Sequence, residues 1–121
     1  MDEQRARELL RAERERVERT LADTEASQRM DRVDEQIIGD EVDEAQRLTA
    51  EYSDEAFATD LRERLAALDR AERRLEEGTY GRSVRSGEPL PDERLKADPA
   101  AELTVEEAEE EERIRDTSGE P

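Results

Sequence analysis

With 121 residues, of which 47 % are charged, 32 % hydrophobic and 2 % aromatic, the chain carries too little apolar mass for a large globular core. It has no Cys and no His, which excludes disulfides, thiolate–zinc sites and Cys- or His-based catalysis. A net charge of −17 opposes direct DNA or RNA binding, because phosphates are repelled, and favours a basic or metal-bearing partner surface.

Such a composition fits either disorder or long helices with a narrow apolar seam, and periodicity decides between them. The segment Met1 to Arg7 is charged and lacks a signal-peptide core, so a cytoplasmic location is expected. Residues 1 to about 38 contain neither Gly nor Pro. Leu10, Val17 and Leu21, then Met30, Val33 and Ile37, follow helical spacing with a shift of register between the two sets. Glu3 with Arg7 and Glu15 with Arg19 are i,i+4 pairs in the favourable order. One long helix is predicted.

Gly39 interrupts it, and Asp40 to Glu44 reads as an acidic turn in which Asp43 can cap the next helix. From about Asp43 to Glu77 the chain again lacks Gly and Pro. Phe57, Leu61, Leu65, Leu68 and Leu75 mark the seam of a second long helix. Two such helices joined by a short turn run antiparallel and cover each other's seams, which predicts a two-helix coiled-coil hairpin over 1–77 with its tip at 39–45. A dimeric coiled coil built on one long helix is the alternative, which Gly39 and the acids after it disfavour.

Gly78 is a C-cap residue, and six Gly and Pro residues follow from Gly78 to Pro99. A compact, turn-rich module over 78–121 is expected, with one helical turn after Pro91. A third long helix is predicted from Glu102 to about Arg115, with Thr104 as a cap and Asp116 to Pro121 as a frayed tail. The fold class is thus all-α: an antiparallel two-helix coiled-coil hairpin, a small module and a C-terminal helix. No run of about 18 apolar residues exists to span a membrane.

The run Leu75-Glu76-Glu77-Gly78-Thr79-Tyr80-Gly81 leads into Ser83-Val84-Arg85-Ser86-Gly87-Glu88-Pro89-Leu90-Pro91 and then Arg94-Leu95-Lys96-Ala97-Asp98-Pro99-Ala100-Ala101-Glu102-Leu103-Thr104-Val105-Glu106-Glu107. This resembles the signature of the DksA/TraR family, with its Gly-x-Tyr-Gly turn, Cys-x-x-Cys-Gly, Arg-Leu-x-Ala and Pro-x-Ala-x-Leu-Cys-x-x-Cys. Forty residues before Ser83 stands Asp43, within Asp40-Glu41-Val42-Asp43-Glu44-Ala45, which is similar to the family's Asp-x-Val-Asp-x-Ala tip. The likeness covers the tip, the second helix and the module; the first helix matches in length and periodicity only.

The resemblance implies a protein that enters the secondary channel of bacterial RNA polymerase and regulates transcription. Its tip, with Asp43 as the main residue and Asp40 and Ala45 beside it, would approach the catalytic centre and alter open-complex stability. Arg94 and Lys96 are candidate polymerase-docking residues. Ser83, Ser86, Thr104 and Glu107 stand where the family carries its four zinc-binding cysteines. Three hydroxyls and one carboxylate are a poor zinc set, so a degenerate zinc finger without metal is expected, held by contacts among Tyr80, Val84, Leu90, Leu95, Leu103 and Val105. Projecting the family's basic residues for the alarmone ppGpp places Ala67, Asp98 and Ala108 at lost positions and keeps only Arg94, so no ppGpp dependence is expected.

The acids from Asp40 to Asp60 number eight against one base, Arg47, and suit a channel leading to basic groups and magnesium; by charge alone they equally suit a solvated helix start. Asp40, Asp43 and Glu44 are hard oxygen ligands but lack EF-hand spacing, so no resident metal and no other cofactor is expected. Ser83, Ser86 and Thr104 have no His or Lys partner in sequence and no phosphate-cradling Gly loop exists, which argues against an enzyme. A structural or adaptor coiled coil that kept the fold without polymerase binding is the alternative function.

Overall fold

The computed structural model of the chain describes the backbone over 1–38 and 44–118 and side chains over 1–30 and 53–117. Four helices follow one another: α1 (Glu3–Ile38), α2 (Glu44–Glu77), α3 (Asp92–Ala97) and α4 (Val105–Ser118). The described residues hold no strand, only an isolated antiparallel bridge between Arg82 and Pro89. The predicted turn at 39–43 lies outside the described residues.

The start of α1 obeys a local rule: the Asp2 carboxylate accepts the Arg5 N–H at 2.7 Å, satisfying one of the first-turn donors that have no partner within the helix. Ala6, Leu10 and Val17 are buried along its stripe, while Leu9 and Leu21 are half-buried. On the outer face Arg7 pairs with Glu3 and Arg14 with Glu18, each i,i+4. α2 ends in a Schellman arrangement: Thr79 N–H reaches the Arg74 carbonyl at 2.8 Å and Gly78 N–H the Leu75 carbonyl at 3.3 Å. That closure needs φ of +81° at residue 78, which a glycine adopts without steric cost.

Two compact units divide the chain. One is Ala12–Ala67; the other joins Met1–Arg11 to Leu68–Pro121. Within Ala12–Ala67, Val17 and Ala58 are buried, and the helices are tied by Arg64 to Glu13 at 3.3 Å and Arg62 to Glu25 at 3.0 Å. The α1 number rises as the α2 number falls, as antiparallel pairing requires. Glu13 also takes Arg16 at 2.6 Å, and these hydrogen bonds, led by that from Arg16, hold its carboxyl below the usual carboxylate range against the opposing effect of burial. Within the second unit Leu68 and Ala71 of α2 are buried, as are Ala6 and Leu10 of α1.

The seam of α2 departs from its sequence reading. Leu68 is buried, Leu61, Leu65 and Leu75 are half-buried, but Phe57 keeps 48 % of its surface exposed. The small residues Ala58 and Ala71 are buried alongside Leu68 instead. Close helix approach favours a side chain that ends at Cβ. The C-terminal helix also differs from expectation. It begins at Val105 rather than Glu102 and runs through 116–118, which were expected to fray; residues 119–121 lie outside the described set.

Candidate functional site

The stretch 80–104 folds back on itself by backbone hydrogen bonds. Ser83 N–H donates to Glu88 O at 2.8 Å, Gly87 N–H to Ser83 O at 2.9 Å and Leu90 N–H to Gly81 O at 2.8 Å. They make a tight knuckle, turned by Gly81 and Gly87 at φ of +85° and +78°. Val84 N–H then donates to Glu102 O at 2.8 Å, stitching the knuckle to the segment before α4.

The core beneath is small: Leu90, Leu95 and Ala101 are buried together with Tyr80 packed against them. Burial pushes the Tyr80 hydroxyl up to about 12, with Arg74 opposing and Asp98 adding to the shift. Its O–H donates to the Pro99 carbonyl at 2.7 Å. Two expected core residues are not there: Val84 and Val105 are 54 % and 48 % exposed, and Leu103 is half-buried. Val84 follows Ser83, whose side chain points inward, and Val105 opens a helix whose inward residues are Glu107 and Ala108.

The four positions singled out by the Cys-x-x-Cys likeness do come together. Ser83 is buried, and its hydroxyl donates to Glu107 Oε1 at 2.6 Å while accepting N–H bonds from Arg85 at 3.1 Å and Ser86 at 3.2 Å. The same Glu107 oxygen accepts the Thr104 N–H at 2.9 Å, and Glu107 N–H returns a bond to Thr104 Oγ1 at 3.1 Å. The last two form a capping box on α4, a Thr-x-x-Glu pattern visible in the sequence as Thr104 and Glu107. Hydrogen bonding, first from the Ser83 hydroxyl and next from the Thr104 N–H, pulls the Glu107 carboxyl down to about 2; desolvation works against it, and the Ser86 and Thr104 hydroxyls help.

This set does not fit zinc. Structural zinc takes four thiolate, imidazole or carboxylate ligands, whereas three of these side chains end in neutral hydroxyls. The acceptor oxygen of Glu107 is already shared by Ser83 and Thr104. Among the described residues no group of three or more Asp, Glu, His or Cys is placed to hold a metal ion.

Further ties were not legible beforehand. Arg70 of α2 gives Nε and Nη2 to Glu102 Oε1 at 3.1 and 2.7 Å, with Arg74 Nη1 at 3.8 Å from the other oxygen. Arg85 of the knuckle reaches Glu110 of α4 at 3.1 Å. Thirty-two and twenty-five residues separate these partners, so no local pattern announces them. Of the expected docking pair, Lys96 is exposed, while Arg94 donates Nε to the Leu103 carbonyl at 2.7 Å and so also has a structural task. The tip residues Asp40 and Asp43, and the side chain of Ala45, lie outside the described residues.

Long paired helices, a glycine-turned knuckle and a capped terminal helix define a DksA-like all-helical fold. The chain is similar to the solved structure of transcription factor DksA2 from Pseudomonas aeruginosa, 26 % identical, with a TM-score of 0.75 and coverage of 93 % of this chain and 84 % of that one. No protein-family model matches the chain, and no curated protein matches it significantly. Among the described residues, no helix is long and apolar enough to cross a membrane.

Proposed function

We propose that the protein regulates transcription by binding bacterial RNA polymerase in its secondary channel. The observation that carries this reading is the likeness to transcription factor DksA2 over 93 % of the chain at 26 % identity. On this reading residues 1–77 form the coiled-coil hairpin, and the tip at 39–45 brings Asp40, Asp43 and Ala45 towards the catalytic centre. Carboxylates there compete for, or reposition, the basic groups and magnesium that stabilise the open complex. The module over 78–121 is a zinc-finger-like unit in which hydrogen bonds through Ser83, Thr104 and Glu107 take the place of metal. It docks at the channel rim, with Lys96 and the remaining donors of Arg94 as its cations. The protein binds and perturbs; it performs no chemistry of its own.

Activity independent of ppGpp belongs to the same reading. Ala67 and Ala108 offer no charge, and the Asp98 carboxylate accepts the Ala100 N–H at 3.1 Å, placing an acid where an anion would need a base.

The test is capture of core RNA polymerase followed by competition with a known channel-binding factor. Association that the competitor displaces is expected; association that it leaves untouched rejects the channel. Asp43→Asn should keep polymerase binding nearly intact and abolish the effect on open-complex lifetime. If binding and effect are lost together, the tip assignment is wrong.

A further inference from the structure

Phe57 is the single Phe of the chain, and it stands on α2 at a seam position yet remains 48 % exposed. The reason lies on the facing helix. The cross-helix pairs Arg64–Glu13 and Arg62–Glu25 bracket the register and set Phe57 opposite the part of α1 between Thr20 and Met30. From Ala22 to Arg29 that part offers no large apolar side chain, and Met30 is itself 66 % exposed. Among the described residues, Leu21 and Met30 at the two ends of that stretch are its only large apolar side chains, and Phe57 keeps nearly half of its surface in solvent. Around it the surface is acidic: Asp54, Glu55 and Asp60 lie within three residues, and no base occurs between Arg47 and Arg62.

We propose that Phe57 is an anchor for the partner: a basic protein surface with an apolar recess, which the phenyl ring fills while Asp54, Glu55 and Asp60 meet surrounding Lys or Arg side chains. The inference rests on the polymerase reading and places this surface on the wall of the channel. Physically it has the composition of an interface hot spot, an aromatic ringed by polar groups that exclude water once docked. The acids steer the approach and oppose self-association, and the ring supplies the dwell time.

The experiment measures binding of labelled full-length protein to core RNA polymerase by fluorescence anisotropy, comparing wild type with Phe57→Leu and Phe57→Gln. Leu and Gln are similar helix formers, so helix content by circular dichroism should match, and the two variants differ chiefly in apolar surface. Withdrawing the exposed half of a phenyl ring from water on binding corresponds to about tenfold or more in affinity. Phe57→Gln should lose that factor through a faster off-rate, and Phe57→Leu should retain most of the affinity. Equal binding by wild type and Phe57→Gln overturns the anchor and leaves the polymerase reading standing. A wild type that does not bind polymerase overturns the polymerase reading and the anchor with it.

Discussion

Replacing Ser83 by Ala probes the contact that joins the knuckle to α4. The hydroxyl is buried, donates to Glu107 at 2.6 Å and accepts the N–H groups of Arg85 and Ser86 at 3.1 and 3.2 Å. Ala fits the space but leaves two partly buried backbone donors without this acceptor. At about 1 kcal/mol for each of the three lost hydrogen bonds, the substitution destabilises the chain by roughly 3 kcal/mol. For a chain of this length unfolding as a whole, an entropy of about 2 cal/mol/K per residue turns that into a fall of about 12 °C in Tm. The effect is pH-dependent. The Glu107 carboxyl sits at about 2 in the folded protein against 4.5 when unfolded, so its contribution is fully present above about pH 4.5 and is lost as pH falls through about 2. Part of that shift comes through Ser83, so the gap between wild type and Ser83→Ala should be widest at neutral pH and narrow between pH 4.5 and 2. Thermal melts followed by circular dichroism at pH 7, 4 and 2.5 measure it. A Tm change below about 1 °C at pH 7, or a gap that does not narrow in acid, refutes the view that Ser83 and Glu107 clasp the module.

Two further outcomes test the same architecture. Leu95→Ala should destabilise the module by about 2–4 kcal/mol, because Leu95 is 2 % exposed within a core of only a few side chains and the cavity has little to collapse onto; the urea midpoint measures this, and an unchanged midpoint excludes the Leu90–Leu95–Ala101 core. Prolonged incubation with a strong chelator should leave both Tm and polymerase affinity unchanged, since the ligand-position residues bond to one another; a drop in Tm reversed by added zinc would contradict the hydroxyl–carboxylate clasp.

The small module joins distant chain segments through hydrogen bonds and ion pairs. Here the Ser83 hydroxyl and the Glu107 carboxylate, 24 residues apart, make the central junction, and Arg85–Glu110 adds a second tie between the same elements. Arg85 and Glu110 keep nearly half of their side-chain surface in solvent, so that pair contributes little by comparison, whereas the Ser83 contact is shielded. The pair Arg70–Glu102 fastens α2 to the same region, and the Glu102 backbone receives Val84 N–H, so this one residue links α2 to the knuckle.

The sequence by itself determined what depends on neighbours a few residues apart. Helix spacing, the stop at Gly78 and the Thr104 cap all act within one or two turns, and the structure carries each of them. The absence of Cys and His likewise settled which ligands and nucleophiles were ruled out. The tertiary structure alone decided what depends on the facing element. Spacing put Phe57 on the seam, but whether it is covered depends on the side chains that α1 presents opposite, and those between Leu21 and Met30 are small or polar. Val84 and Val105 looked like core by their hydrophobicity, and the direction of the knuckle and of the first turn of α4 left them in water. Glu102 read as one acid among many until the path of the chain set it against Arg70 and Arg74. A cap requires only the adjacent chain, whereas burial and ion pairing require knowing what stands across the gap.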